Sequence, residues 1–126
     1  MVTLRRENQS FQFCALAYRA QEAEGVSSLE NVLIILVRDY EGESRVLARP
    51  HWTDVVDRDD KEYIDEMLSD FEARLRREPN NLLRQVSSLS AGPLITYAAG
   101  PRLVDHPELF ALCAVFADDH HSRRLE

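Results

Sequence analysis

Six aliphatic residues in a row, Val32-Leu33-Ile34-Ile35-Leu36-Val37, constrain this chain more than any other feature. The run is short and rich in β-branched side chains, which suit a pleated surface. With no polar alternation it belongs in the middle of a sheet. Upstream, residues 10–18 place Phe11, Phe13, Ala15 and Ala17 on one alternating set and Cys14, Leu16 and Tyr18 on the other. That is the pattern of a strand covered on both sides.

Between these runs, residues 21–28 are polar, contain Gly25 and read as a loop. After the aliphatic run, Tyr40-Glu41-Gly42-Glu43 supplies a glycine-containing turn, and residues 45–49 read as the returning strand of a hairpin. Pro50 should stop that strand, because proline cannot donate to a ladder. Residues 94–98 read as a fourth strand, set off by Ala91-Gly92-Pro93 before it and Gly100-Pro101 after it.

The helical signal is clearest in the middle of the chain. Ile64, Met67, Leu68, Phe71 and Leu75 recur at helical spacing and make one apolar stripe, with Glu72 on the solvent side. Asp59 and Glu62 have capping-box spacing, acidic residues crowd the first turns, and Arg74, Arg76 and Arg77 crowd the last. Pro79 ends this helix. Asn80 or Asn81 then caps a shorter one whose Leu82, Leu83, Val86 and Leu89 share a face.

A third helix is predicted over 107–117, where Pro107 suits a first turn and Asp105 with Glu108 repeats the capping-box spacing. Periodicity alone also permits a buried strand, since residues 109–117 are apolar throughout; the alanines decide for helix. Leu109, Leu112, Cys113 and Phe116 form the better intramolecular face, which leaves Phe110 and Val115 to meet another surface.

These elements predict a single α+β domain over residues 1–126, with 121–126 as a flexible tail. Its architecture is a small antiparallel or mixed sheet of about four strands with two or three helices packed on one face. An apolar share of 44% against 29% charged residues is enough for one real core in 126 residues.

Fifteen basic against twenty-two acidic residues give a net charge of −7, which opposes nucleic acid and anionic membrane surfaces. No apolar run approaches the roughly 20 residues that span a bilayer. Gln12 and Arg19 interrupt the one stretch that resembles a leader, so a cytoplasmic protein is expected. Cys14 and Cys113 lie in apolar surroundings outside any zinc-type spacing and are expected as buried reduced thiols.

Three places could hold function. Asp54, Asp57, Asp59 and Asp60, near His51 and Glu62, are dense in oxygen ligands, but the glycine and final glutamate of a calcium loop are missing. A helix start attracts such acids on its own, so no metal and no cofactor is assigned. Arg49, His51 and Trp52 follow a strand end and could line a pocket with one aromatic wall and two polar groups. Phe110 and Val115 are the candidate interface.

With no catalytic constellation, the leading expectation is a non-enzymatic protein-interaction or accessory domain whose partner is itself or another protein. The alternative is a small-ligand sensor or carrier at Arg49, His51 and Trp52. A metal-assisted hydrolase built on the acidic cluster ranks third.

Overall fold

Strands that are apolar on both sides have to be flanked on both edges and covered on both faces, and the two such strands of this chain are. The computed structural model describes residues 11–19, 29–38 and 43–118. Within them β1 (Gln12–Tyr18), β2 (Val32–Arg38), β3 (Ser44–Ala48) and β4 (Leu94–Gly100) form one antiparallel sheet in the order β3-β2-β1-β4. The inner positions thus go to β1 and β2. Three helices follow the chain as α1 (Arg58–Arg77), α2 (Pro79–Val86) and α3 (Pro107–Asp118).

This is the expected α+β class with four strands, and 107–117 is helical. The loop expected at 21–28, most of the turn at 40–43 and the tail at 121–126 lie outside the described residues.

Alternate residues of β1 enter two separate cores. Cys14, Leu16 and Tyr18 pack with Ile64, Leu68 and Phe71 of α1 and with Leu82, Leu83 and Val86 of α2. Phe13, Ala15 and Ala17 pack with Leu109, Cys113 and Phe116 of α3. Two helices on one face is therefore the arrangement found, and the third covers the opposite face. Each large aliphatic or aromatic side chain buried this way contributes roughly 1.5–3 kcal/mol.

Two bulges bracket Leu16. On one side it pairs with Ile34 while Ala17 pairs with Val32, so Leu33 is supernumerary, and Leu33 and Ile34 both reach the α1/α2 core. On the other side Leu16 pairs with Thr96 and Ala15 with Ala98, which makes Tyr97 the extra residue. Tyr97 and Ala98 both turn toward α3. An extra residue of this kind kinks a strand and re-aims its side chains.

Both sheet edges are guarded. The Thr96 N–H on β4 donates to the carbonyl of Leu89 at 2.8 Å, and the Leu89 N–H donates to Thr96 Oγ1 at 2.8 Å, so the segment after α2 lies along that edge. The β3 edge carries Arg45, paired with Glu43 at 3.0 Å, and ends before Pro50. Charge, a bulge and a covering segment are the usual defences against edge-to-edge pairing.

The helix starts differ from expectation. Asp57 is the N-cap of α1 and makes no side-chain cap bond, so the Asp59–Glu62 box does not form. Pro79 both ends α1 and occupies the first turn of α2, where its missing N–H is harmless, with Glu78 as the cap. Asn80 and Asn81 are inside that helix. At α3 the His106 carbonyl accepts from Phe110 N–H at 2.8 Å, while Asp105 pairs with Arg102 at 3.1 Å. Glu72, expected in solvent, is half-buried beside β3.

Candidate functional site

Arg49 leaves β3 with its guanidinium folded back over the start of β2. Its Nη1 donates to the carbonyls of Glu30 at 2.7 Å and Val32 at 2.9 Å, and its backbone N–H donates to Leu33 at 2.7 Å. Charge-assisted bonds of this type fix geometry strongly, so the guanidinium is occupied in holding the bulged strand. His51 is exposed and sits in the left-handed region at φ 58° and ψ 35°. Trp52 is only 7% exposed and belongs to the α1/α2 core. The three are neighbours in sequence with different surroundings, and none lines the cavities along α1, α2 and α3.

The acidic cluster is organised around a phenol. Tyr18 donates its hydroxyl proton to Asp60 Oδ2 at 2.7 Å and accepts from the Asp57 N–H at 3.1 Å. Burial, then the bond to Asp60, raise its pKa well above the ordinary phenol range. Among the described residues no three of His, Cys, Asp or Glu are grouped to hold a metal ion.

The thiols lie on opposite faces of the sheet, Cys14 against α2 and Cys113 on α3, and both are fully buried and unpaired. Cys14 Sγ donates to the Val86 carbonyl at 3.1 Å. Burial pushes each thiol up to about 12, which keeps it protonated and a poor nucleophile.

The outward face of α3 is different in kind. Leu109, Cys113 and Phe116 are buried as the periodicity requires, and Leu112 is half-buried. Ala111, Ala114 and Val115 are exposed, Val115 by 53%. Phe110 is half-buried, its ring edge-on to Phe11 with centroids 6.5 Å apart and planes at 84°. Beside it Val104, Pro107, Phe110 and Ala111 line a cavity of about 200 Å³. From Pro107 to Ala117 the one charged residue is Glu108. Ala111 and Val115 are one helical turn apart, so the apolar knob and the apolar cavity share a row.

Of the two residues expected to meet another surface, Val115 is exposed and Phe110 is half-buried against Phe11, and the cavity beside them was not foreseen. Its walls come partly from Val104 and Pro107, which the sequence presents only as a turn and a helix start. The exposed alanines were legible as helix formers and not as a surface.

Two further grooves have mixed polar and apolar walls. One of about 360 Å³ runs between β3 and the end of α1, lined by Arg45, Leu75 and Arg76 among others. Another, of about 410 Å³, lies between α2 and the Gln12–Gly100 end of the sheet, and Asn80, Arg84 and Ser87 face it.

No protein-family model, curated protein or solved structure matches the chain. What the structure defines by itself is a small α+β domain, a four-stranded antiparallel sheet with three helices. Among the described residues no helix is long and apolar enough to cross a membrane.

Proposed function

We propose that this chain is a non-enzymatic interaction module that associates with a second copy of itself through the outward face of α3. The observation that carries the reading is the pairing of an exposed knob, Val115, with an apolar cavity at Phe110 and Ala111 one turn away on the same helix.

A two-fold axis across an antiparallel pair of α3 helices would set each Val115 into the other copy's cavity, the self-complementary arrangement that isologous dimers require. Exposed Ala111 and Ala114 let the two backbones approach closely. The near absence of charge on this face lets two chains of net charge −7 meet there without like charges in contact. The guards on both sheet edges favour a helix face over strand pairing as the contact.

Sedimentation velocity across a dilution series tests the reading. The native chain should sediment as a dimer at micromolar concentration, and Val115→Glu and Phe110→Glu should each sediment as a monomer with unchanged helical circular dichroism. A native chain that stays monomeric at high micromolar concentration overturns the proposal, as does a Val115→Glu variant that dimerises normally.

A further inference from the structure

The groove between α2 and the end of the sheet has features that neither the core nor the α3 face explains. Its volume, about 410 Å³, lies within the range of small-ligand pockets. On one wall, Asn80 and Arg84 of α2 and Ser87 at its C-cap fall at i, i+4 and i+7 and turn one polar stripe toward it. Across from them stand Gln12 and Phe13 of β1 with Gly100 and Pro101, while Leu83 and Ala99 supply apolar floor.

Behind the groove, Arg38 sets the polarity of its lining. Its Nη1 donates to Asn80 Oδ1 at 2.7 Å and to Gln12 Oε1 at 3.4 Å. With both amide oxygens turned to Arg38, the N–H2 group of each amide is left to donate elsewhere, and both residues line the groove. Arg84 adds a guanidinium that has no side-chain partner among the described residues. Arg38 Nε is buried without a hydrogen-bond partner.

Among the described residues no ion pair involves either arginine and no carboxylate lines the groove. In a chain of net charge −7, a concave site lined by donors and backed by two guanidinium groups that have no carboxylate partner among the described residues favours negative charge.

The position of Arg84 in the last turn of α2 suits the helix dipole, which accounts for one cation near that end. It does not account for two amides locked as donors beside it, nor for the apolar floor. We propose that this groove binds a small organic anion, its carboxylate or phosphate group held by Arg84, Asn80 and Gln12 and its apolar body resting on Ala99 and Pro101 beside the edges of Phe13 and Leu83. Phe13 reaches this groove from the α3-side core, but no residue that lines it also lines the cavity at Val104, Pro107, Phe110 and Ala111.

Amide chemical-shift titration of the full chain tests this with four probes: benzoate, phenyl phosphate, benzyl alcohol and inorganic phosphate. Either aromatic anion should move the amides of α2 and of Ala99 and Gly100 saturably, and Arg84→Gln should weaken that binding by about tenfold or more, as loss of a charge-assisted contact does. Arg76→Gln, outside the groove, should leave it unchanged. Binding by benzoate alone narrows the class to carboxylates, and by phenyl phosphate alone to phosphate esters.

The proposal is overturned if neither anion gives a saturable shift there up to about 10 mM, a level that fills a millimolar site. Benzyl alcohol binding as tightly as benzoate, inorganic phosphate binding as tightly as phenyl phosphate, or an Arg84→Gln chain that binds normally would each overturn it too.

Discussion

The hydroxyl of Tyr18, the last residue of β1, donates a 2.7 Å hydrogen bond to Asp60 in the first turn of α1. The same oxygen accepts from the Asp57 N–H, one of the donors that a helix start leaves without an internal partner. A strand side chain thus stands in for the cap that the acidic residues themselves do not provide. Tyr18→Phe should therefore lower stability by about 1–2 kcal/mol. Tyr63→Phe, at a site 45% exposed, should change it by about 0.5 kcal/mol or less. Equal urea midpoints for the two variants would remove the capping role.

Phe71 lies on the buried stripe of α1 at 2% exposure, packed against the sheet. Phe71→Ala should cost about 3–5 kcal/mol, the sum of lost transfer energy and an unfilled cavity. Glu66→Ala on the exposed side of the same helix should stay within about 0.5 kcal/mol. Glu72 is a poor control because it is half-buried against β3.

Thr96 guards the β4 edge with its hydroxyl, which accepts from Leu89 N–H and donates to the Val86 carbonyl. Thr96→Val keeps the shape and removes both bonds, so about 1–3 kcal/mol should be lost from the groups left unpaired. Loosening the covering segment should also raise thioflavin-positive aggregation on mild heating. A variant as stable and as soluble as the native chain would show that the edge needs no such guard.

Stability should decline in alkali. Each thiol is held protonated in the fold up to about 12, against an ordinary value of 9.0. Above pH 9.0 the unfolded chain releases protons that the folded chain keeps, so stability that is complete below that pH is lost as pH rises toward about 12. The slope should approach about 1.4 kcal/mol per pH unit for each thiol. Tyr18 adds to it in the same direction at higher pH. Urea unfolding of a chain carrying Cys14→Ala and Cys113→Ala should show a clearly shallower slope; an unchanged slope would remove the thiols as its cause.

His51 holds a left-handed backbone that a non-glycine residue adopts at a cost of about 1–2 kcal/mol. Its side chain is exposed, and among the described residues no hydrogen bond, ion pair or cap places it in the turn. His51→Gly should therefore hold the melting temperature or raise it slightly, the relief of strain being partly offset by the entropy of glycine. A loss greater than about 1 kcal/mol would show that the imidazole is used.

Much of this fold was legible in residues 11–18 and 32–37, because apolar side chains on both alternating sets and an unbroken aliphatic run are direct readouts of cover on both faces. The same two strands require a layer on each side of the sheet, and α3 supplies the second. Register was not legible. The bulges at Leu33 and Tyr97 arise from pairing with neighbours distant in sequence, and no local residue type marks them. Caps were misjudged for a related reason: Asp59 and Glu62 have the spacing, but the partner for this helix start arrives from β1.

Of the candidate surfaces, the unused apolar circumference of α3 could be counted from sequence, whereas its cavity needs Val104 folded against Phe110. The α2 groove had one local sign, the polar repeat Asn80, Arg84, Ser87. Its other half comes from the ends of β1 and β4, which only the tertiary fold brings near.

The sheet separates two cysteines, one in each core, and gives each layer its own clock. A thiol-labelling reagent cannot reach Cys14 until the α1/α2 side opens, nor Cys113 until α3 lifts. Labelling rates measured separately at the two sites report the opening free energy of each layer, from fraying up to global unfolding. If α3 detaches as a unit while the other layer holds, Cys113 will react much faster than Cys14. If the domain opens only as a whole, the two will react with one common rate, set by global unfolding.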